Sequence, residues 1–198
     1  MNEFVRAARY ALAAIALSSC SPNASRSAEA PPLAGATIGG PFQLIDQDGK
    51  PVSDRDFAGR YRIMYFGYTF CPDVCPTDMQ NLGAAMRQLD KTNPKLSARI
   101  TPIFVSVDPA RDTPAVLKPF VSAFYPRLVG LTGSASAIAA TAKEYRVFYQ
   151  RQPATPGGGY IVQHSDQAIL FGPDGKPLAI VPVSESPQAI VATLERWA

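Results

Sequence analysis

Two cysteines carry the clearest chemistry in the chain, in the segment Cys71-Pro72-Asp73-Val74-Cys75-Pro76. Each is followed by proline, which disfavours helical geometry at the preceding residue. The next helix is therefore predicted to begin at Pro76, with Cys75 at its cap. Both sulfurs then sit on a stiff loop at a helix N-terminus, where partial positive charge lowers thiol pKa and favours thiolate. Thiolates attack disulfides and bind soft metals, so three readings compete: a structural disulfide, a dithiol redox centre and a metal site. Closing a loop of about five residues constrains an unfolded chain little, which makes stability a weak reason for a disulfide here.

The chain holds one histidine, His164. A lone histidine is more often a packed or surface residue than a ligand. This one lies at a predicted strand end, flanked by polar Gln163, Ser165 and Asp166. Two thiolates and an imidazole form a set of two soft sulfurs and one nitrogen, which suits three-coordinate copper(I); zinc and iron–sulfur sites usually take four protein ligands. Copper(II) would need a further oxygen or nitrogen. Asp73 and Asp78 are close in sequence, without a firm candidate between them.

The elements that must position these residues alternate. A hairpin is predicted over Phe42–Ile45 and Pro51–Ser53, with a turn at Asp46–Gly49. Arg62–Phe66 and Ile100–Val107 read as buried strands, with Pro102 demoting the first half of the second. Helices are predicted over Pro76–Leu89, Thr113–Phe124, Ser134–Tyr145 and Pro187–Trp197. Further strands are expected at Leu128–Leu131, Ile161–Val162, Ala168–Phe171 and Leu178–Val183. The pattern implies an α/β fold with a central mixed sheet flanked by helices. Its site should lie at the carboxyl end of a central strand. Asp108–Pro114 reads as a turn and helix cap.

With 198 residues, 46% hydrophobic and 18% charged, the chain is long enough for one globular domain. A net charge of +3 and the absence of Lys/Arg runs argue against nucleic-acid binding. The start has a different composition. Arg6 and Arg9 precede an apolar run, Tyr10–Leu17, too short to span a bilayer, since a spanning helix needs roughly 20 residues. Leu17-Ser18-Ser19-Cys20 resembles a bacterial lipobox. The expected organisation is a lipoprotein signal over 1–19, an acylated Cys20, a flexible tether over 20–35 and a domain over 36–198. Export would place the remaining cysteines in an oxidising compartment.

The segments Gly67-Tyr68-Thr69-Phe70-Cys71-Pro72-Asp73-Val74-Cys75-Pro76-Thr77 and Ser106-Val107-Asp108-Pro109-Ala110-Arg111-Asp112-Thr113-Pro114 closely resemble signatures of the Sco/SenC family. His164-Ser165, followed by a strand and Gly172-Pro173-Asp174-Gly175, resembles a third. The resemblance spans roughly residues 42–197. It implies a thioredoxin-like fold, copper ligation by Cys71, Cys75 and His164, and delivery of copper, as Cu(I) and also Cu(II), during assembly of cytochrome c oxidase. It further implies a carrier rather than a turnover enzyme. The expected partners are the oxidase's copper-site subunit and a second periplasmic copper carrier, with the domain lipid-anchored on the extracytoplasmic face of a bacterial membrane.

Many family members place an acid directly before the histidine; here Gln163 stands there. The alternative function is a thiol–disulfide oxidoreductase using Cys71 and Cys75 as its redox pair, against which no proline occurs between Tyr160 and Gly172. Peroxidase chemistry is a weaker third reading. Tyr68, Phe70 and Tyr160 are candidates for an aromatic rim over the site, or for ordinary packing.

Overall fold

The structure, a computed structural model, describes residues 29–154 and 157–198. The signal over 1–19, Cys20 and the tether as far as residue 28 lie outside the described residues. Among the described residues no helix is long and apolar enough to cross a membrane.

Strands β1 (Gln43–Asp46) and β2 (Pro51–Ser53) form the expected hairpin, and β3 (Tyr61–Gly67) leads through the cysteine loop into α1 (Val74–Thr92). A short helix α2 (Pro94–Ser97) precedes β4 (Ile100–Ser106), and α3 (Pro114–Phe124), β5 (Val129–Thr132) and α4 (Ala135–Glu144) follow. The chain closes with β6 (Tyr149–Arg151), β7 (Val162–His164), β8 (Ala168–Phe171), β9 (Pro177–Val181) and α5 (Pro187–Trp197).

Seven strands make one mixed sheet in the order β2-β1-β5-β4-β3-β8-β9. Strands β3, β4 and β5 are parallel, joined by α1 and α3, while β8 returns antiparallel to β3. Being central, β3 and β4 read as nearly continuous apolar runs, and every residue of β4 is buried. Successive side chains alternate between faces. Tyr65 and Phe104 stack together towards α1 and α3, whereas Phe66 meets Tyr145 at the end of α4 on the other face. Along α1, Cys75, Met79, Leu82, Met86 and Leu89 recur every three or four residues and form its buried stripe.

Pro102 does not shorten β4. The Val107 N–H donates to Gly67 of β3, so by alternation residue 102 faces β5, whose pairing begins only at Ile103. The missing N–H of proline therefore falls where no ladder bond is due.

Strands β6 and β7 form a separate two-stranded sheet, with Tyr149 opposite His164. Sequence reading missed β6. Residues 29–35, expected to belong to the tether, already lie against the domain: the Leu33 N–H donates to the Leu178 carbonyl and Glu29 pairs with Arg196.

Candidate metal centre

The loop after β3 lies at the carboxyl end of that central strand, as expected. Helix α1, however, starts at Val74, with Asp73 at the cap position, so Cys75 sits inside the first turn rather than at the cap. Pro76 is compatible with this because first-turn N–H groups have no intrahelical partner to lose.

Depth overrides the helix end. Cys75 is fully buried, and that desolvation pushes its thiol well above the ordinary range, opposite to the expected lowering. Its sulfur rests against Gly67, where an added Cβ would lie 2.9 Å from Sγ and 2.9 Å from the Tyr65 ring. Glycine at 67 is thus required by close approach rather than by backbone conformation. Cys71 is half-buried, and both cysteines are free thiols.

His164 comes to them from the β6–β7 hairpin, 89 residues away from Cys75 in sequence. Its Nδ1 lies 2.9 Å from the Ser165 carbonyl, which can only accept, so Nδ1 carries the proton and Nε2 presents a lone pair. Nε2 is 3.3 Å from Cys75 Sγ. The imidazole is also set edge-on to Tyr65 and Tyr68, with ring centroids 6.3 and 5.8 Å away.

The donor atoms of Cys71, Cys75 and His164 all lie within 4.8 Å of one another. A three-coordinate ion with bonds of about 2.0–2.3 Å holds its donors about 3.5–4.0 Å apart, so small side-chain shifts suffice to close the triangle. The donor set fits copper(I): two sulfurs, one nitrogen, and a histidine tautomer fixed by its outer hydrogen bond.

Neither nearby acid joins this group. Asp73 is exposed at the start of α1, and Asp78, 4% exposed, accepts the Tyr65 hydroxyl at 2.8 Å. Burial pushes the Asp78 carboxyl up, while the Tyr65 hydrogen bond acts the other way. Gln163 is exposed, opposite in facing to His164, and its Oε1 accepts a long 3.4 Å contact from Gln152.

The turn-like segment after β4 does more than cap a helix. Thr113 makes no side-chain capping bond. Instead Asp112 accepts from the Thr69 N–H at 3.0 Å, the Thr69 hydroxyl at 2.6 Å and the Ser106 hydroxyl at 2.6 Å, which fixes the cysteine loop. Asp108 accepts from Arg111 and from the Tyr160 hydroxyl, and the latter bond reaches the histidine hairpin. Tyr68, Phe70 and Tyr160 gather around the Arg111 guanidinium, and Tyr68 also meets the His164 ring. Sequence reading missed these long-range roles, whose only signal was the density of Asp and Arg in a segment that also spells a turn.

A model of the SCO1/SenC family matches residues 30–198. "Protein SCO1 homolog 1, mitochondrial" of Arabidopsis thaliana is 41% identical over 146 residues, covering 74% of this chain and 42% of that protein. "Protein SCO2 homolog, mitochondrial" of Mus musculus is 39% identical over 165 residues, covering 83% and 64%. The chain thus spans about half the length of the curated relatives it matches. Among solved structures, Bradyrhizobium japonicum ScoI with copper bound is 39% identical at a TM-score of 0.73, covering 81% of this chain and 99% of that one. Yeast Sco1 with copper bound is 34% identical at 0.73, covering 80% and 87%. The shared architecture is the thioredoxin-like mixed sheet flanked by helices. With the family model running from residue 30 to the last residue, and with these relatives in agreement, the chain belongs to the SCO1/SenC family.

Proposed function

We propose that this protein carries copper(I) on Cys71, Cys75 and His164 and delivers it to the copper-site subunit of cytochrome c oxidase during assembly. The observation that carries the reading is the convergence of the three donors within 4.8 Å, with the Nε2 lone pair turned towards the sulfurs. The copper-bound structures of similar Sco proteins support it. Binding replaces the thiol protons with the ion, including the one the Cys75 thiol shares with Nε2. Cys71 and His164 are half-buried and Cys75 is sealed, so incoming thiolates or imidazoles displace the first two before the third. A three-coordinate ion leaves an open direction for that attack. Without a carboxylate in the triangle, copper(II) would take its fourth ligand from solvent or from a partner.

The proposal extends to the chain's start: residues 1–19 leave as a signal, Cys20 is acylated, and the stretch from residue 20 tethers to a bacterial membrane, on its periplasmic side, a domain against which residues 29–35 already lie. Tethering raises effective concentration near an oxidase in the same membrane, and a second periplasmic copper carrier loads the site. The two free thiols, whose sulfurs lie within 4.8 Å, also favour the second reading, a thiol–disulfide oxidoreductase.

One experiment separates them. Reduced protein is compared with Cys71→Ser, Cys75→Ser and His164→Ala for copper stoichiometry and affinity. The carrier loses affinity in all three. Equal copper retention by His164→Ala and the unmodified protein would remove the imidazole from the site, and disulfide-reducing activity that survives only in His164→Ala would favour the redox reading.

A further inference from the structure

The histidine lies on a hairpin whose regular pairing is only with itself, so something else must hold that hairpin against the domain. Val162 is buried, and Tyr65 and Tyr68 flank the imidazole. A further hold is at Tyr160, four residues before His164. Its ring lies between two guanidinium groups, Arg111 at 3.7 Å and Arg151 at 3.8 Å from the centroid. Arg111 also donates through Nη1 to the Tyr160 carbonyl at 3.0 Å and through Nε to Asp108 at 2.5 Å, while the Tyr160 hydroxyl donates to the other Asp108 oxygen at 2.8 Å. Ring, carbonyl and hydroxyl of one residue are thus held by one Arg–Asp pair. Asp108 is 5% exposed, and its own N–H is fixed by the Ser106 hydroxyl, which also donates to Asp112. The clasp is therefore anchored to the same bracket that holds Thr69 in the cysteine loop.

We infer that Arg111 is a positioning residue for the metal site: by clasping Tyr160 it keeps the β6–β7 hairpin shut and His164 in register with Cys75. Releasing the clasp lets the imidazole withdraw while Cys75, seated in the first turn of α1, stays in place. A flat guanidinium is what this requires, because it stacks on a ring while donating in two in-plane directions; a lysine ammonium cannot do both. The inference rests on the reading of Cys71, Cys75 and His164 as one copper site.

The single histidine provides a reporter. In the reduced, metal-free chain, the two flanking tyrosine rings displace the His164 ring-proton resonances from those of a solvent-exposed histidine. Arg111→Met is expected to move them towards the exposed position and to weaken copper(I) retention against a competing chelator roughly tenfold. Arg111→Lys should recover little of either. Adding Arg111→Met to His164→Ala should cost nothing beyond His164→Ala alone, since the clasp acts through the imidazole. Tyr160→Phe keeps the ring and loses only the hydroxyl, so it should move the resonances less but in the same direction, and it serves if Arg111→Met does not fold. Unmoved His164 resonances in Arg111→Met and Tyr160→Phe would overturn the inference, as would losses that simply add to those of His164→Ala. If His164→Ala instead binds copper(I) as tightly as the unmodified protein, the copper-site reading falls, and the resonances still decide whether the clasp holds the hairpin.

Discussion

The two sides of the metal triangle are built differently. The cysteine side belongs to the central sheet: Cys75 lies in the first turn of α1, fully buried, against a strand residue that has no room for a methyl group. The histidine side is a two-stranded outlier, held by the burial of Val162, ring contacts of His164 with Tyr65 and Tyr68, and the clasp of Arg111 and Asp108 on Tyr160. The proposed uptake and release of an ion at this site would benefit from this asymmetry. One half sets the geometry, and the other can leave without disturbing the core.

Three measurements test the contrast, taken from the largest expected effect to the smallest. Burial holds the Cys75 thiol in its protonated form, so copper(I) must expel that proton, and apparent affinity rises with pH. Between pH 7 and pH 9 the Cys75 proton alone gives a rise of roughly a hundredfold, tenfold per unit. The slope should persist in His164→Ala and flatten by one proton in Cys75→Ser; an unchanged slope in Cys75→Ser would place the proton elsewhere.

Gly67→Ala comes next. Its Cβ would sit 2.9 Å from the Cys75 sulfur, and the rigid side cannot yield cheaply, so denaturant unfolding should show a loss of about 1–3 kcal/mol. Gly157, in the β6–β7 connection, has nothing within 4 Å of an added Cβ, and Gly157→Ala should be close to neutral. Equal costs at the two glycines would erase the distinction between the halves.

The smallest effect is expected at Gln163. Exposed and turned away from the donors, it should tolerate Gln163→Glu with a change in copper(I) affinity of about twofold or less, read by chelator competition. A large gain would mean that a charge on the outer face of the hairpin reaches the ion after all.

The sulfur side was the more legible half in sequence. Short-range signals announced it: two cysteines each before proline, an apolar run before them, and a helical stripe after. Depth was not legible. The position of Cys75 relative to a helix end can be read from neighbouring residues, whereas its burial depends on Gly67, Tyr65 and Phe104, brought together only by the sheet. The imidazole side was legible as chemistry but not as architecture. His164 stood out as the single histidine, yet β6 is three residues long, and its pairing with β7 gives no local period to detect. Asp108, Arg111 and Asp112 were read as a turn because turn spacing and long-range bracing use the same residue types. Their partners, Thr69 and Tyr160, lie 43 and 52 residues from Asp112 and Asp108.

The contact between Leu33 and Leu178 has a practical meaning of its own. Strand β9 ends the seven-stranded sheet, and an uncovered outer rung invites pairing with another molecule. The Leu33 N–H occupies one carbonyl on that rung, and Glu29 meets Arg196 of the neighbouring α5. A protein trimmed to begin at residue 36 gives up both contacts and bares that carbonyl, so trimming at residue 28 is the better guard against self-association.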